Sequence, residues 1–218
     1  MPISPELKDD ILQLRTALAP LPTDWDGKKC IKEMKDRNSR NWKQLEWIGF
    51  YGEELVLQHL PGDVFSIPGD SYGNATFDFQ GAVNWDIKAH PRTTNGAWLN
   101  DKEAMDLSVA DYGFAGLVIL GLDCMYDEGG DFKAWHDRLK GKRTQYERNR
   151  VSRGARSRRR KTHAILRNVD LVLLDSSHLQ QLKEVQKNMR NSDGSPRRGK
   201  YSITNEQIVE YCQTSISY

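Results

Sequence analysis

Residues 76–90, TFDFQGAVNWDIKAH, contain two short stretches in which apolar and polar residues alternate, with Gly81 between them. Alternation with a period of two predicts β-strands, because successive side chains of a strand point to opposite faces of the sheet. Glycine suits a tight turn between two such strands. We therefore predict a β-hairpin with strands at 76–80 and 82–90.

The second predicted strand places Trp85 and Ile87 on one face and Asp86 and Lys88 on the other. The first strand carries Asp78 on its polar face, so pairing across the turn brings Asp78 and Asp86 toward one place. Two neighbouring carboxylates repel each other unless a cation lies between them, and Mg²⁺ prefers oxygen ligands. A lysine beside them suits the stabilisation of a phosphate or of an attacking water.

The segment before the hairpin, WKQLEWIGFYGEELVLQHL at 42–60, is helical in character and stops at Pro61-Gly62. A line of small and apolar residues runs along this helix and contains one carboxylate, Glu53. Glu54 points about 100° away and is the weaker candidate. We therefore predict that Glu53 lies near the hairpin as a third acid.

The remaining patterns predict a mixed α/β fold built on one sheet flanked by helices. Helices are expected at 5–20, 28–59 with a break near 38–39, 100–112 and 177–189, and strands at 63–67, 114–122 and 169–174. We treat residues 1–218 as one domain. Its expected parts are an N-terminal helical region at 1–43, a core at 44–122, a basic insertion at 123–168 and a C-terminal part at 169–218.

Asp78, the triplet Asp86-Ile87-Lys88 and the upstream glutamate resemble the PD-(D/E)XK nuclease superfamily, especially type II restriction endonucleases. The resemblance covers residues 44–122 and implies a restriction endonuclease-like core. It implies that Asp78, Asp86 and Ile87 bind Mg²⁺, for which Mn²⁺ substitutes. It also implies that Lys88 activates or orients the water and that Glu53 assists. The chain departs from the motif's name, because Thr76-Phe77 stands where a proline precedes the first acid.

The net charge of +2 conceals a strong asymmetry along the chain. Residues 138–161 hold twelve Lys and Arg residues and one acid, a net charge of +11, so the other 194 residues carry −9. Cationic side chains in such a density favour phosphate backbones, from which they release counterions. We expect this segment to contact DNA.

Further DNA contacts are expected from the loop after the hairpin and from a later Gly/Ser/Arg loop. The complete set of expected DNA-binding residues is Arg92, Asn95, Arg150, Arg153, Arg156, Arg158, Arg159, Arg160, Lys161, Arg197 and Arg198.

These features together predict a Mg²⁺-dependent endonuclease that cuts double-stranded DNA at a specific short sequence. Cutting both strands calls for two sites, which favours a symmetric homodimer. The resemblance implies a cognate DNA methyltransferase in the same system, though not as a bound partner. Two alternatives stay open: a structure-specific nickase or junction resolvase of the same fold, and a DNA-binding protein without catalysis.

Several other classes are disfavoured by the sequence. No run of about 18 apolar residues predicts a membrane span, and the first residues lack the pattern of a signal peptide, so we expect a cytoplasmic, prokaryotic protein. The cysteines, Cys30, Cys124 and Cys212, are odd in number and widely spaced, which favours reduced thiols. The five histidines show no zinc-ligand spacing, and no phosphate-binding glycine loop is present.

Overall fold

The computed structural model describes residues 2–67, 77–141, 145–154, 159–190 and 194–218, without the side chains of 145–147 and 150. The helices are α1 (Pro5–Leu18), α2 (Gly27–Asp36), a 3₁₀ helix (Arg40–Lys43), α3 (Trp47–His59), α4 (Lys102–Tyr112), α5 (Asp131–Lys140), α6 (Gln145–Ser152), α7 (Ser176–Gln181) and α8 (Asn205–Tyr211). The strands are β1 (Asp24–Asp26), β2 (Phe79–Gln80), β3 (Asn84–Pro91), β4 (Ala97–Asp101), β5 (Ala115–Tyr126), β6 (Lys161–Leu174), β7 (Lys183–Val185), β8 (Lys200–Ile203) and β9 (Cys212–Ser217).

The main sheet is mixed, in the order β1-β6-β5-β3-β2, and β9 also pairs with β6. Strands β3 and β5 are parallel, while β5 and β6 are antiparallel. A parallel pair needs a crossover connection, and α4 lies within the one between β3 and β5. Strands β4, β8 and β7 form a second, smaller sheet. The predicted mixed α/β architecture with a helix-flanked sheet is confirmed.

Two apolar cores lie on the two faces of the main sheet. One contains Trp85 and Ile87 of β3 together with residues of α1, α2 and α3, and the other contains Leu117 and Ile119 of β5 with residues of α4 and the small sheet. Strand alternation therefore directs Trp85 and Ile87 into the first core. The polar residues of β3, among them Asp86, lie on the opposite face.

The predicted hairpin is present, with a shorter first strand than expected. Phe79 pairs with Trp85 and Gln80 with Asn84, and residues 81–83 form the turn. The first predicted residue, Thr76, lies outside the described residues.

A buried carboxylate joins this turn to the first helix. Asp10 of α1 is 6% exposed, and its Oδ2 accepts hydrogen bonds from the Ala82 backbone N–H at 2.8 Å and from Trp85 Nε1 at 3.2 Å. Gly81 leaves room for this contact, because a Cβ there would lie 2.3 Å from Asp10 Oδ2. Asp10 therefore fixes the start of β3 against α1.

Three sequence-based predictions for residues 63–112 differ from the structure. Residues 63–67 do not form a strand: residues 62–64 are a turn, and Ser66 makes one isolated bridge, to Gln80. The loop expected after Pro91 contains strand β4, which pairs with β8 about a hundred residues later. The helix expected at 100–112 begins at Lys102, because residues 100–101 belong to strand β4 and Asp101 is the residue that precedes α4.

The C-terminal half differs more. Helix α5 was not predicted, and the described residues of the basic segment 138–161 include the end of α5, helix α6 and the first residue of β6. Strand β6 begins at Lys161 and not at Val169, because residues 163–165 pair with β1. The helix expected at 177–189 ends at Gln181, and strand β7 follows.

The three cysteines are free, as predicted. No helix within the described ranges is long and apolar enough to cross a bilayer.

The contact made by Asp10 gives a prediction for stability. Asp10→Ala leaves two buried donors without an acceptor and should lower the free energy of unfolding by about 2–4 kcal/mol. Asp10→Asn should lose much less, because both hydrogen bonds use one carboxylate oxygen, which the amide carbonyl replaces. Urea unfolding followed by circular dichroism measures both values. Asp9→Ala, which alters an exposed neighbour, is the matched control, and equal midpoints for D10A and D9A would contradict the role of Asp10.

Candidate active site

Strand β3 places an acid and a lysine side by side. Asp86 is 3% exposed, and its Oδ2 lies 2.6 Å from Lys88 Nζ. The two groups form a close ion pair. Lys88 Nζ also donates to the backbone oxygen of Ile87 at 3.2 Å. The Lys88 ammonium thus contacts Asp86 and the Ile87 oxygen, two of the groups to which the family resemblance gives a metal-binding role.

Asp78, just before β2, is held by β3 through both its backbone and its side chain. Its N–H donates to the Trp85 oxygen at 2.9 Å, and its Oδ2 accepts from the Ile87 N–H at 2.6 Å. The pairing of β2 with β3 ends at Trp85. Among the described residues, the N–H and the oxygen of Ile87 therefore face an open edge of the sheet. Asp78, Asp86 and Lys88 therefore meet around Ile87, as the sequence predicted.

Helix α3 brings in the third acid. Gly52 lets α3 approach the sheet closely, because a Cβ there would lie 2.9 Å from Leu120 Cδ1. The next residue, Glu53, is half-buried and interacts electrostatically with Lys88 and Asp86. Glu54 turns away and pairs with Arg37 of the segment after α2 at 3.4 Å. Of the two helix acids, Glu53 is the one that joins the cluster.

The cluster is electrostatically unusual. Burial and the neighbouring Asp86 carboxylate raise the pKa of Asp78 to about 8. Burial also raises the pKa of Glu53, against the opposing effect of Lys88. Burial acts to lower the pKa of Lys88, but the Asp86 and Asp78 carboxylates outweigh it and raise that pKa. The single ammonium of Lys88 thus interacts with three acids, Glu53, Asp78 and Asp86, so the site favours a further positive charge.

The residues present fit a hard divalent cation. Within the described ranges, no three His, Cys, Asp or Glu side chains are arranged to hold a metal by themselves. Mg²⁺ needs fewer protein ligands, because it binds through one or two carboxylates and keeps several waters. Asp78, Asp86 and the edge-facing oxygen of Ile87 are such a set. The buried Asp86 Oδ2 already lies against one cation, the Lys88 ammonium, which shows that this position favours positive charge.

A cavity of about 580 Å³ opens on the same face of the sheet, beside His90, which follows Lys88 by two residues. Its wall includes His90 of β3, Asn168 and Asp170 of β6, and Arg92 at the end of β3. The Arg92 side chain is half exposed and lies 3.5 Å from Asp123. Asn95, in the same loop, is exposed. Both predicted contact residues of this loop are therefore on the surface.

The structure separates the predicted basic segment into exposed and buried cations. Arg153 and Arg159 are exposed, and Arg159 pairs with Glu128. Arg160 is 3% exposed and pairs with Asp137 at 3.4 Å, so its predicted role in DNA contact does not fit its position.

Lys161 requires the same correction. Its side chain is 11% exposed and pairs with Glu46, just before α3. The predicted contacts Arg156 and Arg158, and the side chain of Arg150, lie outside the described residues. In the later loop Arg197 and Arg198 are exposed, and Arg198 lies 3.5 Å from Asp101.

Sequence reasoning missed the cations that approach the cluster from the N-terminal side. Arg40 of the 3₁₀ helix acts on Glu53 and opposes the rise of its pKa. Arg37 holds Glu54 and also donates to Gln58 at 3.4 Å. A signal was present in the sequence, since residues 28–43 hold seven Lys and Arg residues and two acids.

Comparison of the chain with protein-family models, with curated proteins and with solved structures gives no significant match.

The raised pKa of Asp78 predicts a stability that depends on pH. Between the ordinary carboxyl pKa and about 8, the folded chain keeps the Asp78 proton while the unfolded chain loses it, so stability falls as pH rises. Asp78→Asn removes this loss and keeps an acceptor for the Ile87 N–H. In EDTA at pH 8 it should therefore raise the Tm by at least about 2–4 °C, and the gain should shrink toward pH 5.

Differential scanning fluorimetry across this pH range measures the effect. Asp63→Asn, at an exposed carboxylate, is the control and should leave the Tm unchanged. An Asp78→Asn variant that is less stable than the parent chain at pH 8 would contradict the electrostatic account.

Proposed function

We propose that this chain is a Mg²⁺-dependent endonuclease of the PD-(D/E)XK superfamily that hydrolyses phosphodiester bonds in double-stranded DNA. The proposal is supported above all by the grouping of Asp78, Asp86 and Glu53 around the single ammonium of Lys88. The order of elements around that cluster also favours it: an antiparallel pair, the helix α4 and then a parallel strand.

Each residue has a role in this proposal. Asp78, Asp86 and the Ile87 oxygen would hold Mg²⁺, for which Mn²⁺ substitutes. The bound ion supplies positive charge at the scissile phosphate and makes a water more acidic. Lys88 would orient or activate the attacking water and stabilise the charge that develops on the phosphate. Glu53 would accept a hydrogen bond from that water and fix its direction.

Exposed polar and cationic side chains would hold the duplex. Arg92 and Asn95 follow the catalytic strand directly, and Arg153, Arg159 and Arg197 lie on the surface. Such groups contact phosphates, which sets the position of the protein on DNA. The long side chains of arginine also suit bidentate contacts with guanine.

Similarity to type II restriction endonucleases extends the proposal. Sequence-specific cutting of both strands would use a homodimer with two sites related by a two-fold axis. A cognate DNA methyltransferase would protect the host genome in the same prokaryotic cytoplasm. The enclosed carboxylates argue against a DNA-binding protein without catalysis, because a hairpin with a merely polar surface would leave Asp86 solvated.

Plasmid digestion tests the activity. With Mg²⁺ the parent chain should give discrete fragments, and Asp86→Ala and Lys88→Ala should each lower the cleavage rate by at least about 10²-fold. Both variants should still bind duplex DNA in a gel-shift assay. Sequencing of the cut ends identifies the recognition site. Nicks at junctions or mismatches alone would favour a structure-specific enzyme, and cleavage retained in both variants would reject the assigned site.

Glu53 and Glu54 form a matched pair for a second test. Glu53→Gln should slow cleavage by at least about tenfold, because it removes a charged acceptor near the reacting groups. Glu54→Gln should change the rate less than twofold, since Glu54 contacts Arg37 and not the cluster. Rates under single-turnover conditions measure both effects. An equal loss in the two variants would show that Glu53 has no special role.

A further inference from the structure

Helix α2 presents a basic stripe away from the core. Its buried side is formed by small and apolar residues, among them Ile31 and Met34. Lys28, Lys32 and Lys35 follow at spacings of four and three residues, which places them on one exposed face. The stripe belongs to the 28–43 segment, which has seven cations and two acids and a net charge of +5.

Most of this charge is not neutralised by the protein. Among the described residues, no carboxylate lies within ion-pair distance of Lys28, Lys32, Lys35 or Lys43, whereas Lys29 pairs weakly with a glutamate of its own helix, at 4.0 Å. An exposed cation without a partner can approach an external anion without first breaking an ion pair. The lysines of α2 are therefore accessible to a polyanion, whereas Arg160 and Lys161 at the end of the 138–161 segment are paired inside the fold.

Two tryptophan rings contact three of these lysines. Lys35 and Lys43 lie over the ring of Trp42, with Nζ 5.3 and 5.2 Å from its centroid. Lys28 lies 5.8 Å from the ring of Trp135 on α5. Cation–π contacts restrain the lysine stems but leave the charge in place. Three of the four lysines are thus restrained in place, and Lys32 lies on the same exposed face between Lys28 and Lys35.

The same surface leads to the candidate active site. It continues from α2 into Arg37, which lies 3.4 Å from Glu54, and into Arg40, which acts on Glu53. These two acids sit on α3, and Glu53 belongs to the carboxylate cluster. A nucleic-acid backbone that places one phosphate at the cluster can thus extend over the lysines of α2.

We infer that Lys28, Lys32, Lys35 and Lys43 form a second DNA-contact surface that holds phosphates of the duplex beside the cleaved bond, with Lys35 and Lys43 positioned by Trp42. The inference rests on the proposed function, since it takes duplex DNA as the ligand. Contacts of this kind are independent of sequence and release counterions. They therefore set affinity and position, while recognition of bases belongs to other residues.

Binding of duplex DNA at several salt concentrations tests the inference. The double variant Lys32→Gln/Lys35→Gln is measured in the inactive Asp86→Ala background, by fluorescence anisotropy between about 50 and 200 mM salt. Each lost phosphate contact should reduce the slope of log K against log salt by about 0.9, so the double variant should lose about 1.8. Affinity should fall at least about tenfold for specific and random duplexes alike.

The matched control is Lys8→Gln/Arg15→Gln, which removes two exposed charges from α1. It should keep the slope of the parent chain. If the test and control variants bind DNA equally well while the parent chain still cleaves it, the inference is wrong and the proposed function stands. If the parent chain neither binds nor cleaves duplex DNA, both fail.

Lysine footprinting gives a readout that needs no substitution in α2. Acetylation of the Asp86→Ala chain, followed by mass spectrometry, should show Lys28, Lys32, Lys35 and Lys43 protected at least about threefold by duplex DNA, with Lys8 unchanged. Equal labelling of these four lysines with and without bound DNA would overturn the inference.

Discussion

Like charges confined away from water repel strongly, and this chain confines the carboxylates of Glu53, Asp78 and Asp86 around the ammonium of Lys88. The surrounding structure keeps them together against that repulsion. Asp78 is tied to β3 by its backbone and its side chain. Asp86 and Lys88 lie on β3. The turn before β3, at residues 81–83, is anchored to α1 by Asp10.

A cluster held in this way concentrates an electrostatic cost at the proposed active site. Burial and mutual repulsion raise the pKa values of Asp78 and Glu53, so a bound cation in place of a proton would relieve a cost that folding incurs. Lys88 already offsets part of this cost. Its ammonium contacts Asp86 and the Ile87 oxygen, two of the groups proposed to bind the metal ion. The proposed chemistry and the proposed metal thus arise from one electrostatic imbalance.

The sequence predicted the polar face of β3 and the glutamate of α3, because both depend on local periodicity. It failed where distant pairing decides the structure. Strand β4 lies in a Thr/Asn/Gly-rich stretch and forms because β8 supplies its hydrogen bonds. The helix expected at 177–189 stops at Gln181, because residues 183–185 pair with β8 instead.

Local charge was also an incomplete guide to surface charge. Arg160 and Lys161 belong to the most basic segment, yet Asp137 and Glu46 hold their side chains in the interior. Helix α2 has a smaller positive excess, but its lysines remain exposed. Only the placement of acids in three dimensions separates cations that stabilise the fold from cations that face solvent.

The shortness of β2 has a consequence for self-association. Among the described residues, β2 ends its pairing at Trp85, so the rest of β3 is a sheet edge, and an open edge invites strand addition by another molecule. Asp78 covers the Ile87 N–H, Lys88 covers its oxygen, and Pro91 has no N–H to offer. The residues proposed for catalysis thus also cap an edge that would otherwise seed aggregates, which couples solubility to an intact cluster.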